Sequence, residues 1–150
     1  VGTGVAANEE LASDYFRRGC EAADGQACSN YGDALARGQG VRADARAAAV
    51  AFERACKGGY AFGCTQLAVA HANGQGVSRD DRKASALAEQ ACDGGDATGC
   101  GVAGVLLSSK AKLTPREQEK ARTLLGKGCE GGYAPACGSN GATPPKTGSQ

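Results

Sequence analysis

The chain has no tryptophan, methionine or isoleucine, and only three phenylalanines and one histidine. Alanine supplies most of the apolar fraction. At roughly 25 cal/mol per Å² of buried apolar area, an alanine core gains less than one built on leucine and isoleucine. A lone histidine leaves little scope for histidine-based metal or nucleophile chemistry. No apolar run approaches the roughly 20 residues a bilayer-spanning helix needs, so no membrane span is expected. Charge of one sign is also missing: 17 basic residues are interspersed with 16 acidic ones, for a net +1. That balance argues against the basic footprint of a nucleic-acid binder and the polybasic face of a membrane binder. No leader segment is recognisable, and the 150 residues read as one domain of a mature, processed chain.

What the chain does have is eight cysteines in four pairs, Cys20/Cys28, Cys56/Cys64, Cys92/Cys100 and Cys129/Cys137, with seven residues between partners. First members step along the chain by 36, 36 and 37 residues. A fixed period in this range means stacked repeats. Eight regularly placed cysteines place the chain in an oxidising compartment, secreted, extracellular or periplasmic. Equal local spacing also selects four nearest-neighbour disulfides from the 105 connectivities that eight cysteines allow. Zinc sites space their paired ligands more closely and use histidine. Redox catalysis lacks a Cys-x-x-Cys motif, and haem attachment lacks Cys-x-x-Cys-His. No metal or cofactor is expected.

Within the period, Gly38 to Val41 and Gly74 to Val77 both read Gly-Gln-Gly-Val. Segments on either side have helical periodicity. Gly38 and Gly74 read as helix stops, and Asp44 and Asp80 as N-caps. Double glycines at Gly58-Gly59, Gly94-Gly95 and Gly131-Gly132 close each second helix. Each unit is thus a helical hairpin. The third is degenerate, with Lys110 to Leu113 in place of the glycine turn, but Thr114, Pro115 and Glu117 start its second helix with a capping box.

Val1 to Asn8 falls in register with Arg37 to Asp44, so the chain is expected to open in a turn followed by an orphan second helix over 8–20. Repeats follow at about 24–59, 60–95 and 96–132, giving seven helices in an all-α, disulfide-stapled α/α solenoid spanning 1–140. A Pro/Gly/Ser/Thr tail occupies 141–150.

The pattern resembles the Sel-one-like repeat family, a relative of the tetratricopeptide repeats. In the second unit the match is carried by Cys64, Leu67, Gly74, Gly76, Val77, Asp80, Ala84, Ala88, Ala91 and Cys92. The paired cysteines are similar to those of cysteine-rich secreted bacterial members. The resemblance implies an α/α superhelix used for protein–protein contacts and complex assembly, without naming a partner.

Two constellations mimic catalytic sites. His71 occupies the position of Leu35 and Leu107 in the neighbouring units and reads as a groove or packing residue. Ser109 to Lys112 forms a Ser-x-x-Lys, and Lys146-Thr147-Gly148 follows, two of three signatures of penicillin-recognising serine enzymes. There is no Ser-x-Asn element, Ser109 follows a helix instead of starting one, and Lys146 sits in a Pro-rich tail. The chain is therefore read as a non-enzyme.

Two functions remain. As an adaptor, the protein would bind a protein partner along the concave face, through first-helix residues Asn30, Asp33, Arg37, Gln66, His71 and Asn73. Tyr60 and Tyr133, which share one repeat position after the double glycines, are expected to be exposed enough to add contacts. As a self-assembling structural subunit, it would pack end to end into a homo-oligomer or filament. Its leading helix would offer Leu11, Tyr15 and Phe16 to the trailing Leu124 and Leu125 of another copy.

Overall fold

A computed structural model describes residues 4–138. It contains seven α-helices: α1 (Gly4–Glu21), α2 (Gly25–Arg37), α3 (Ala45–Lys57), α4 (Ala61–Asn73), α5 (Asp81–Asp93), α6 (Ala97–Ser108) and α7 (Pro115–Glu130), then a short 3-10 turn, Ala134–Ala136. There are no strands among the described residues. None of these helices is long and apolar enough to cross a membrane.

Local chemistry sets the helix ends. Asp24, Asp44, Asp80 and Asp96 each accept backbone N–H groups from the first turn of the following helix, at 2.9–3.2 Å. Such caps satisfy donors that the helix itself leaves unpaired. At Thr114 the hydroxyl accepts from Glu117 N while the Glu117 carboxylate accepts from Thr114 N, a complete capping box. At the other ends, α2 and α4 stop at Gly38 and Gly74 with φ of 68° and 66°, the left-handed conformation that glycine adopts without a Cβ clash.

The Gly-Gln-Gly-Val motif owes its second glycine to packing. A Cβ on Gly40 would lie 2.0 Å from the carbonyl oxygen of Glu9, and one on Gly76 would lie 2.1 Å from that of Ala45. Each turn therefore rests directly on the first turns of the preceding second helix. This contact locks one repeat onto the next.

The opening of the chain departs from expectation. Helix α1 runs from Gly4, so residues 4–7 are helical where the register with Arg37 to Asp44 predicts a turn. Ala6 and Ala7 are strong helix formers and fall within this helix. The 141–150 tail lies outside the described residues.

Consecutive helices pack as antiparallel neighbours from α1 to α7. In addition α2 meets α4 and α4 meets α6, whereas α1 only grazes α3, α3 and α5 make no close backbone approach, and α5 and α7 are bridged at their surfaces by the Lys120–Glu89 ion pair at 2.8 Å. First helices are therefore crowded on the inside of the superhelix while second helices fan apart on the outside. The core is made of small residues in close approach: Ala55, Ala68, Ala84, Ala88, Ala91 and Ala121 are completely buried. Large residues enter opposite glycines. Phe52 of α3 fills the space over Gly32 of α2, and Leu125 of α7 that over Gly104 of α6.

All eight cysteines are disulfide-bonded, as Cys20–Cys28, Cys56–Cys64, Cys92–Cys100 and Cys129–Cys137, with Cα atoms 4.3–4.8 Å apart. The first three join a second helix to the first helix of the next unit, and the fourth pins the residue after the terminal 3-10 turn to α7. Between α4 and α6 a partly buried link runs across units, where the Thr65 hydroxyl donates to the Asp96 carboxylate that caps α6.

Candidate functional site: the concave groove

Three clefts recur at one place in the repeat, each walled by a second helix, the first helix of the following unit and the turn beyond. The first encloses about 290 Å³ between α1 and α2 and is lined by Glu9, Ser13, Phe16, Asn30, Asp33 and Gln39. The second, about 190 Å³, lies one unit on, where Asp33, Gln66 and Gln75 surround an apolar floor that includes Phe52 and Val69. The third, about 530 Å³, holds Asn73, Arg79, Asp81, Arg82, Ser109 and Lys110 above Leu106. The counterparts 36 residues apart are visible in sequence: Gln39 with Gln75, Asn30 with Gln66, Ala70 with Leu106. The clefts form one groove along the inner face.

Asp33 joins the first two clefts. Its Oδ1 accepts from Gln66 Nε2 at 3.1 Å, tying α2 to α4 across the groove. Its Oδ2 lies 3.8 Å from the Arg37 guanidinium, a surface pair one helical turn away that is worth about 0–1 kcal/mol. Amide, carboxylate and guanidinium groups therefore present donors and acceptors toward the groove on a scaffold fixed by disulfides. Such groups suit the alternating N–H and C=O of a polypeptide backbone.

The third cleft differs in charge. The Arg79 guanidinium donates to both Asp81 oxygens at 3.0 and 3.3 Å. This bidentate pairing holds the Asp81 carboxyl below its usual range and raises Arg79. Lys110 Nζ donates to Glu117 at 3.2 Å. Arg82 makes no ion pair among the described residues.

The predicted partner residues divide. Asn30, Asp33 and Gln66 line the first two clefts, Asn73 the third, and Arg37 stands exposed at the rim. His71 does not belong with them. It is only 8% exposed, and its Nδ1 lies 3.2 Å from the Ser78 carbonyl oxygen, a contact that requires Nδ1 to carry the hydrogen. The ring substitutes for the buried leucines at equivalent positions and braces the turn after α4. Tyr60 and Tyr133 are half-buried instead of exposed. Tyr60 packs against Gly25, and the Tyr133 ring lies where a Cβ on Gly101 would be, 2.2 Å from Cδ1. Both tyrosines close repeat junctions.

At the ends, Leu11 and Tyr15 are 70% and 74% exposed, while Phe16 is half-buried in the first cleft. Leu124 and Leu125, expected to form a trailing apolar patch, are 8% and 1% exposed. Leu125 packs over Gly104, and both leucines turn toward α6 and the terminal turn. The Ser109 hydroxyl donates to the Leu106 carbonyl at 2.7 Å, with Lys110 turned to Glu117. Lys146-Thr147-Gly148 lies outside the described residues. The sequence pattern does not single out Glu9, Arg79, Arg82 or Ser85, and it marks Gln39 and Gln75 only as members of the Gly-Gln-Gly-Val turn. Their only signal is register, since each lies near a helix end and reaches the groove through the neighbouring unit.

A search of curated protein sequences found no significant match. Among solved structures, cysteine-rich protein B of Helicobacter pylori is 31% identical with a TM-score of 0.58, over 60% of this chain and 68% of that one. A Sel1 repeat protein from Oxalobacter formigenes is 24% identical with a TM-score of 0.75, over 85% of this chain and 51% of its own. A protective antigen of uropathogenic Escherichia coli displaying an SLR fold is 22% identical with a TM-score of 0.73, over 85% of this chain and 27% of its own. This chain thus spans about half of the Oxalobacter protein and about a quarter of the antigen. The Sel1 repeat profile matches residues 1–24, 25–60, 61–96 and 109–133. With that match across most of its length, and with the helical hairpins and groove it builds, the chain belongs to the Sel1 repeat family.

Proposed function

We propose that the protein is a non-catalytic interaction scaffold of an oxidising, extracytosolic compartment that holds an extended segment of a partner protein along its concave groove. The observation that carries this reading is the run of three repeat-equivalent clefts on the inner face, the first two of them joined through Asp33. Family membership supports a protein-binding role, and four disulfides in a core poor in large apolar groups support the compartment. The expected end-to-end assembly has less behind it. The leading helix does expose Leu11 and Tyr15, but the trailing leucines that would receive them are buried within their own chain.

A photo-crosslinking amino acid tests the reading. Placed at Gln66 or Asn30 in the groove and, separately, at the exposed outer position Val50, it should give a discrete crosslinked partner only from the groove. Arg37→Glu should reduce the yield. Equal crosslinking from Val50, or crosslinks only to other copies of the chain through Leu11 and Tyr15, would overturn it.

A further inference from the structure

Charge is distributed unevenly along the groove. Residues 4–37 carry six acidic and three basic side chains, whereas residues 97–138 carry three acidic and six basic ones. The clefts follow this gradient. The first presents Glu9 and Asp33 with Arg37 at its rim, 3.8 Å from Asp33, and the third presents Arg79, Arg82 and Lys110 against Asp81. Two of the three cations are shared with carboxylates of their own chain, Arg79 with Asp81 and Lys110 with Glu117. Arg82 is unshared among the described residues, which leaves the cavity with an excess of positive charge facing about 530 Å³ of open space.

Resting on the groove reading above, we propose that the third cleft, where Arg79 and Arg82 of the α5 start face Lys110 after α6, seats an acidic segment of the partner polypeptide. Charge complementarity identifies the occupant, because guanidinium groups bind carboxylates as donor pairs in a fixed geometry. Leu106 and Ala72 in the same lining offer apolar contact to the methylenes of a glutamate side chain. Asn73 and Ser109, which stand at one repeat position on successive units, flank the opening. Glu9 and Asp33 repel the same segment from the first cleft. Like-charge placement of this kind sets which way a ligand lies more than how tightly it binds. An extended partner therefore enters the groove in one direction, with its acidic stretch over α5 and α6.

The test uses the full disulfide-bonded chain, labelled with nitrogen-15, and a terminally blocked oligoglutamate peptide, with an oligolysine peptide of equal length as the counter-probe. Oligoglutamate should shift the amide signals of Asn73, Arg79, Arg82, Ser85 and Lys110, and oligolysine should leave them in place. Arg82→Glu with Lys110→Glu should weaken the acidic peptide roughly tenfold or more, since attraction becomes repulsion at two positions. Lys57→Glu with Lys127→Glu changes net charge equally at exposed sites outside the cleft lining and should leave affinity nearly unchanged. Equal loss in both double variants, or shifts spread over all exposed lysines and arginines, would show diffuse attraction and overturn the assignment. So would the absence of any shift, or preference for a single-stranded oligonucleotide over the peptide. If the peptide fails while Gln66 still crosslinks a partner, the charge assignment falls and the groove reading stands. If the peptide binds and no partner crosslinks at Gln66 or Asn30, the groove reading falls and the charged cleft stands.

Discussion

Phe52 and Gly32 offer a sharp test of how units fit together. The Phe52 ring is 6% exposed and packs with Leu35, Ala48, Ala49 and Leu67. A methyl group on Gly32 would lie 2.5 Å from its Cε1, well inside contact distance, so the ring must shift out of its packed position toward the second cleft. Overpacking of this kind costs about 1–3 kcal/mol, offset by about 1 kcal/mol of helix propensity gained when alanine replaces glycine. Gly32→Ala should therefore be neutral to destabilising in the native protein. Phe52→Ala alone should cost about 3–5 kcal/mol, through lost transfer energy and the cavity left behind. In the double variant the new methyl enters the vacated space, so Gly32→Ala becomes stabilising there. The coupling should be about 1–3 kcal/mol in favour of the pair. The chain supplies its own precedent, because the next unit carries Ala68 and Ala88 at these two positions, in one buried cluster. Urea denaturation followed by far-ultraviolet circular dichroism, with disulfides intact, gives the four free energies. Additive effects, or a Gly32→Ala variant that stabilises the native background, would refute this packing logic.

Reduction of the disulfides should lower the thermal midpoint steeply. Each closes a loop of similar small size, worth about 2.5 kcal/mol by the chain-entropy estimate, and a midpoint unmoved by reductant would contradict this. Glu117, held down to about 2 chiefly by hydrogen bonds from the Thr114 backbone and hydroxyl and then by Lys110, links stability to acid. Its folded-state pKa is depressed, so its contribution is complete above its ordinary 4.5 and is lost as pH falls toward about 2. The stability gap between the native protein and Glu117→Gln should close over that window, and a gap independent of pH would count against the capping box. Ser109→Ala should change no chemistry, since the hydroxyl is spent on the Leu106 carbonyl. Stoichiometric acylation of Ser109 by a penicillin, followed by mass spectrometry, would show a nucleophile instead.

Much of this architecture is legible in the residues because it rests on short-range rules. Each cysteine pair closes across a junction of eight residues, and the aspartate caps at Asp44 and Asp80 and the αL glycines at 38 and 74 act within one turn of chain, where spacing alone fixes geometry. The Thr114 capping box acts at the same range. The start of α1 departs from its register for the converse reason: the Gly-x-Gly turns at Gly40 and Gly76 are shaped by contact with another unit's helix, which spacing does not report. Chemistry at the site depends on longer distances. Tyr60 and Tyr133 look like surface candidates by register, yet long-range packing half-buries both, and His71, readable as either a groove or a packing residue, is buried. Leu124 and Leu125 likewise close on α6 instead of exposing an end.

The sequence by itself determined the repeat, the helical hairpins, the staples and the family, because a 36-residue period states the same local solution several times. Only the tertiary structure decided which side chains share a cleft. Glu9 reaches Asn30 and Gln39, and Arg82 reaches Asn73 and Lys110, through the way one unit stacks on the next. Stacking follows from the close approach of glycine and alanine surfaces, and the direction of a side chain across that contact is not encoded within any single repeat.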